Sequence, residues 1–219
     1  MPFDAYLFDL DGTLIDSHPL FLEIYREVLT PFGVSVTDAD WQHSVRNSWG
    51  MTDWVKKYGI DTDLAELASR KNSLYLDMIA DRLDALPGVE RFLIELLKED
   101  ALLGLVSHSP RVNIDASIRC LDWEGVFHVR IGNEDVTRHK PDPEGFLLAA
   151  EKLEVDPSRC VVFEDSTSGI RAGKAAGMRV VGLRNRSVDL GPDALAEADL
   201  IVGGMDEITL AHLQKLAQV

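Results

Sequence analysis

The sequence predicts an α/β fold: a parallel sheet covered by helices on both faces and interrupted by one all-helical insertion. Three observations carry that expectation. Short apolar runs recur along the chain, each compact enough for one strand and apolar on both faces. Helical patterns separate most of these runs, the alternation that a parallel sheet requires. Residues 16–86 offer helical patterns but no convincing buried strand.

Taken in order, the first strand is Ala5–Phe8, rich in β-forming aromatics and running directly into Asp9-Leu10-Asp11-Gly12, where Gly12 stops it. Leu20, Ile24 and Val28 recur at helical spacing inside the insertion. Pro87-Gly88 marks its end, so residues 1–15 and 87–219 are expected to form one α/β core and residues 16–86 a helical body inserted into it. Val89, Phe92, Leu93, Leu96 and Leu97 then follow the i, i+3, i+4, i+7, i+8 spacing of a half-buried helix. Further strands are predicted at Leu102–Val106, Phe127–Ile131, Cys160–Phe163, Arg179–Leu183 and Leu200–Val202. Helices are predicted at Glu144–Leu153 and Ser168–Ala176, the second ending at Gly177, a natural left-handed terminator.

Composition narrows the function classes. The 219 residues carry 22 Lys+Arg against 37 Asp+Glu, a formal charge of −15, with no Lys/Arg run to offset it. Such a field repels a phosphate backbone, so nucleic-acid binding is not expected. No apolar run approaches the ~18 residues of a membrane span, and the N-terminus lacks the basic start and apolar stretch of a secretory signal. Cys120 and Cys160 match no metal or disulfide spacing and read as buried thiols in a reducing compartment. The expected location is the cytoplasm, and no protein partner is evident.

Asp9 and Asp11 flank Leu10 at the carboxyl end of the first strand, where alternate side chains lie about 6 to 7 Å apart on one side. Two carboxylates at the mouth of a parallel sheet make sense if a cation neutralises them or if one is held as an acid. A solvated Asp-Gly turn would look the same.

Asp9-Leu10-Asp11-Gly12-Thr13-Leu14 resembles the signature opening of the haloacid dehalogenase superfamily, most of whose members are magnesium-dependent phosphatases. Three further matches follow in family order. Ser107 stands after the Leu102–Val106 strand where the family has Thr or Ser, and Lys140 of Lys140-Pro141-Asp142-Pro143 stands at the family lysine. Glu164-Asp165-Ser166, followed by Gly169-Ile170-Arg171-Ala172-Gly173, stands at the acidic metal motif. The resemblance covers essentially the whole chain and implies a Rossmann-like core, with residues 16–86 as the cap domain that one branch of the family carries.

What the resemblance implies is chemically coherent. Asp9 would attack phosphorus as a nucleophile, giving an acyl-phosphate that water then hydrolyses, once the charges of attacker and target are screened. A Mg²⁺ ion on Asp9, a backbone carbonyl at Asp11, and Asp165 with Glu164 directly or behind it would supply that screening. Asp11 would protonate the leaving oxygen and then deprotonate the attacking water, as the residue two after the nucleophile does in the family. Lys140 would hold the nucleophile and the phosphoryl oxygens together, and the Ser107 hydroxyl would donate to the same phosphate. His108, where many relatives have Asn, is a further candidate contact to the substrate phosphate.

Dehalogenases of the superfamily attack carbon and do not need the second aspartate, so Asp11 points to phosphoryl transfer. Mutases of the β-phosphoglucomutase type share the cap but grip a second phosphate with a cap His and Arg. Phe21 stands at the expected His position, and Gly50-Met51-Thr52-Asp53 offers no Arg. Residues 16–86 hold seven basic against twelve acidic residues, which disfavours a bisphosphorylated sugar. The expectation is a phosphomonoester hydrolase acting on a small phosphorylated metabolite, with a phosphomutase as the alternative. Arg46 and Trp49 are candidate cap contacts to the leaving group, Trp41 and Trp54 read as cap core, and His18 reads as a surface or packing residue.

Overall fold

A computed structural model of the chain describes residues 1–80, 82–184, 187–191 and 193–218. Among them a six-stranded, all-parallel sheet has the order β3-β2-β1-β4-β5-β6, from β1 (Ala5–Phe8), β2 (Leu102–Val106), β3 (Val129–Ile131), β4 (Cys160–Glu164), β5 (Arg179–Leu183) and β6 (Leu200–Val202). β1 lies at the centre, with Phe8 in register with Leu105 on one side and Phe163 on the other.

Because successive strand residues face opposite ways, the sheet feeds two apolar layers. Ala5 and Leu7 pack with Phe146 and Ala149 of α7 (Glu144–Lys152) and Ile170 of α8 (Thr167–Ala175). Tyr6 and Phe8 face the other layer, with Phe92 and Leu96 of α5 (Val89–Lys98), Ile114 and Ile118 of α6 (Arg111–Cys120) and Leu213 of α9 (Leu210–Leu216). Phe8 stacks on Phe163 at 4.7 Å between ring centroids, and Phe92 meets Phe163 edge-on at 5.4 Å. This second layer continues without a break into α1 (His18–Leu29), α2 (Asp38–Arg46), α3 (Met51–Tyr58) and α4 (Leu64–Met78) through Leu20, Ile24, Val28, Trp41, Trp54 and Tyr75.

The predicted strands match within a residue or two. The run at Phe127 begins its ladder only at Val129, because Phe127 turns into the core against Phe8 and Trp123. Ser166 caps α8 two residues before the predicted start at Ser168, its hydroxyl accepting from Gly169 N at 3.0 Å, and Gly177 follows the helix at φ +76°. The chain enters and leaves the helical segment side by side: Ile15 bridges Ala85, and Leu86 N donates to Leu14 O at 2.9 Å. Gly88 then opens α5 at φ +84°, where a β-carbon would lie 2.4 Å from the Asp206 Cα, so no other residue fits.

Candidate active site

Three adjacent strands end together. The β1 ladder closes with Asp9 N donating to Phe163 O at 3.0 Å, and the β2 ladder with Ser107 N donating to Ile131 O at 3.0 Å, while β4 ends in Glu164 and Asp165. Parallel strands thereby deliver Asp9, Ser107 and Asp165 to one sheet edge, the carboxyl-end crevice in which such folds bind ligands.

Lys140 arrives from the loop before α7 and ties this edge together. Its Nζ donates to Asp9 Oδ1 at 2.5 Å, to Glu164 Oε1 at 2.6 Å and to the Val106 carbonyl at 2.8 Å. Burial alone would disfavour the ammonium, but Asp9 and Glu164 outweigh it and raise the lysine pKa. Burial pushes the Asp9 carboxyl well above the usual carboxylate range; Lys140 opposes this, and the negative charges of Glu164, Asp165 and Asp11 add to it. Glu164, with no exposed surface, also accepts from the Ser166 amide at 3.1 Å and its hydroxyl at 2.9 Å.

Asp11 is bound on both oxygens, by Ser17 Oγ at 2.7 Å on Oδ1 and by Ser109 Oγ at 2.7 Å on Oδ2, with Ser107 Oγ at 3.4 Å from the latter. Thr13 Oγ1 donates to Asp165 Oδ1 at 3.3 Å, and His18 Nε2 lies 3.7 Å from Asp165 Oδ2. Burial disfavours the His18 imidazolium, yet Asp165 more than offsets it and raises the histidine pKa.

Above the carboxylates lies a cavity of about 420 Å³ roofed by α1, α2 and the following loop. Asp9, Asp11, Ser107, His108, Lys140, Asp165 and Trp49 of the predicted residues line it. Glu164 stands behind Lys140, and both its oxygens are engaged there. Arg46 does not line the cavity, because Asp189 holds its guanidinium: Nη2 to Oδ2 at 3.0 Å and Nε to the backbone oxygen at 2.5 Å. Desolvation of the His108 ring, with Lys140 and His139 beside it, lowers that imidazole's pKa, so it stands neutral at the cavity wall at pH 7.

Several cavity residues escape the sequence reading. Lys71 of α4 lines the wall beside the Phe21 ring at 5.8 Å, and burial lowers its pKa against the pull of Asp11. His18 and Trp41 line the cavity too, whereas Trp54 is core as expected. None of these positions belongs to a local motif; only the fold brings them to the cavity.

Residues 6–183 match the family described as haloacid dehalogenase-like hydrolase. The chain is 33% identical over 183 residues to the phosphorylated carbohydrates phosphatase of Thermotoga maritima, covering 82% of this chain and 85% of that one. It is 32% identical over 222 residues to the β-phosphoglucomutase of Bacillus subtilis, covering 96% and 94%. A longer relative, 33% identical over 180 residues, is spanned over about half its length (47%). The fold also resembles CbbY from Rhodobacter sphaeroides, solved in complex with phosphate, at a TM-score of 0.86 over 96% of this chain and 99% of that one; at 23% identity this is a likeness of fold alone.

Proposed function

The chain belongs to the haloacid dehalogenase-like hydrolases, and from that membership we propose a Mg²⁺-dependent phosphomonoester hydrolase that acts on a small phosphorylated metabolite through an aspartyl-phosphate at Asp9. The observation that carries this reading is the Lys140 bridge between Asp9 and Glu164, in one cavity with Ser107, Asp11 and Asp165.

The donor set suits a hard divalent cation. Four carboxylates, Asp9, Asp11, Glu164 and Asp165, stand against one tightly bound ammonium; burial is the main cause of the raised Asp9 pKa, and the other three carboxylates add to it. No three Asp, Glu, His or Cys side chains form a ready-made cage among the described residues. Mg²⁺ requires none, since it keeps several waters and takes backbone oxygens. Asp9, Asp165 and the Asp11 carbonyl would hold it, with Glu164 acting through Lys140. When bound, the cation screens the negative charge of attacker and phosphoryl group.

The chain's own residues do the rest. Lys140 keeps Asp9 oriented, and the Asp9 oxygen attacks phosphorus while the bond to the leaving oxygen breaks. Asp11 gives that oxygen a proton; it then takes one from the water whose oxygen attacks phosphorus, breaking the acyl-phosphate bond and releasing inorganic phosphate. Ser107 donates to a phosphoryl oxygen. The cap side excludes bulk water around the transfer.

Hydrolysis is favoured over return of the phosphoryl group to a sugar. Phe21, at the position of the mutase histidine, lines the cavity and stacks on Tyr75 at 5.1 Å, so it offers no hydrogen bond to a second phosphate. The proposal keeps the cytoplasmic setting expected from the sequence; no helix among the described residues is long and apolar enough to cross a membrane. The test is phosphate release across a panel of phosphorylated metabolites by wild type and Asp9→Asn, with Mg²⁺ and with a chelator. Release that needs both Asp9 and Mg²⁺ is expected. Isomerised sugar phosphate without net phosphate release, on addition of a bisphosphate primer, would replace the hydrolase by a mutase.

A further inference from the structure

Ser109 lies in the loop between β2 and α6, outside every motif of the sequence, yet it touches two site residues. Its hydroxyl donates to Asp11 Oδ2 at 2.7 Å, and its backbone N–H donates to the Ser107 hydroxyl oxygen at 3.0 Å. The loop itself is anchored, because the Ser109 carbonyl accepts from Asn133 N at 3.1 Å. On the far side Ser17, just before α1, donates to Asp11 Oδ1 at 2.7 Å. A carboxyl group on a single methylene turns about two bonds. A short donor on each oxygen, one from the β2–α6 loop and one from the α1 side, fixes both its rotamer and its plane.

We propose that Ser109 is a positioning residue for phosphoryl transfer, holding the Asp11 carboxyl in the orientation from which it hands a proton to the leaving oxygen. This rests on the acid role given to Asp11 above. Proton transfer is steeply sensitive to geometry, and a leaving alkoxide needs that proton far more than a leaving phenolate does. Loss of the Ser109 hydroxyl therefore acts selectively. Poor leaving groups suffer, while good ones hardly notice. Ser109→Ala is a clean probe because the backbone N–H that binds Ser107 remains.

The experiment compares kcat/KM for an alkyl phosphate and for p-nitrophenyl phosphate in wild type, Ser109→Ala, Ser109→Thr and Asp11→Asn. For Ser109→Ala the expected loss is about tenfold on the alkyl ester, the scale of one hydrogen bond to a charged group, and within about twofold on the aryl ester. Ser109→Thr, which keeps the hydroxyl, should restore the alkyl rate. Equal losses on both esters, no loss on either, or failure of threonine to restore the rate would each overturn the positioning role. Asp11→Asn separates the two levels. If it shows the same selectivity and Ser109→Ala does not, only the assignment of Ser109 falls. If Asp11→Asn itself lacks selectivity, the acid role of Asp11 fails and the inference with it.

Discussion

Gly169→Ala sets helix propensity against a buried ion pair, and the two give opposite signs. Gly169 sits in the first turn of α8, and its backbone lies outside the left-handed region, so alanine should stabilise the helix by roughly 0.5–1 kcal/mol on propensity alone. The added β-carbon, however, would lie 1.8 Å from Glu164 Oε1 and 1.9 Å from its Cδ. Glu164 has no exposed surface and no spare room, and it carries Lys140 at 2.6 Å. Displacing it breaks a buried pair, which costs about 3–5 kcal/mol when one partner is left uncompensated. The net expectation is a loss of about 2–4 kcal/mol, and roughly 4–16 °C in Tm at this chain length. Turnover should fall at least about a hundredfold, because Lys140 loses Glu164, the carboxylate that holds it against Asp9. The assay is calorimetric melting with steady-state phosphate release, repeated in a Glu164→Ala background, where the alanine at 169 should cost nothing. A Gly169→Ala protein that melts at or above the wild-type temperature with normal turnover would refute the reasoning.

Three other outcomes are expected. Asp165→Asn should raise the Mg²⁺ concentration for half-maximal activity at least about tenfold, and an unchanged metal titration would remove Asp165 from the cation site. Arg46→Ala should leave kcat/KM within about threefold, because an exposed pair with Asp189 is worth at most about 1 kcal/mol and the side chain does not reach the cavity; a loss above about tenfold would restore Arg46 as a substrate contact. Partial burial opposes ionisation of the Asp199 carboxyl, but Lys174, Val180 N and Arg179 hold its pKa below the ordinary 3.8. A lowered carboxylate pKa stabilises the fold above the unfolded value and loses that contribution as pH falls through the folded one. Asp199→Asn should therefore melt below wild type at pH 7, with the gap closing below about pH 4; a gap constant with pH would contradict this.

The strands and their strand-end residues are legible because their signals are local. A short apolar run followed by Asp9, Ser107 or Glu164-Asp165 needs no knowledge of the rest of the chain, and a central parallel strand is apolar on both faces in any sequence. Helix α6 gives a weaker signal, since its buried side includes Asn113 and Ser117, the latter bonded to Tyr75 Oη at 2.8 Å, and polar residues blur an apolar stripe. Arg46 and Lys71 show the limit for single cations. Lys71 sits in an Arg-Lys pair that resembles a solvated helix face, yet α4 turns it into the cavity. Arg46 looks equally able to meet a ligand, but Asp189, remote in sequence, takes it. Ser109 and Ser17 carry no pattern at all; a serine becomes informative only when the fold sets it 2.7 Å from Asp11.

The central claim is that Asp9 carries the phosphoryl group during turnover. Rapid acid quench of wild-type enzyme with Mg²⁺ and its best substrate, followed by peptide mass spectrometry, tests it most directly. The account predicts one phosphoryl group on the peptide that contains Asp9, formed and lost at the rate of turnover and missing in Asp9→Asn. Phosphate release with that peptide unmodified at every quench time, or with the phosphoryl group on another residue, would contradict it.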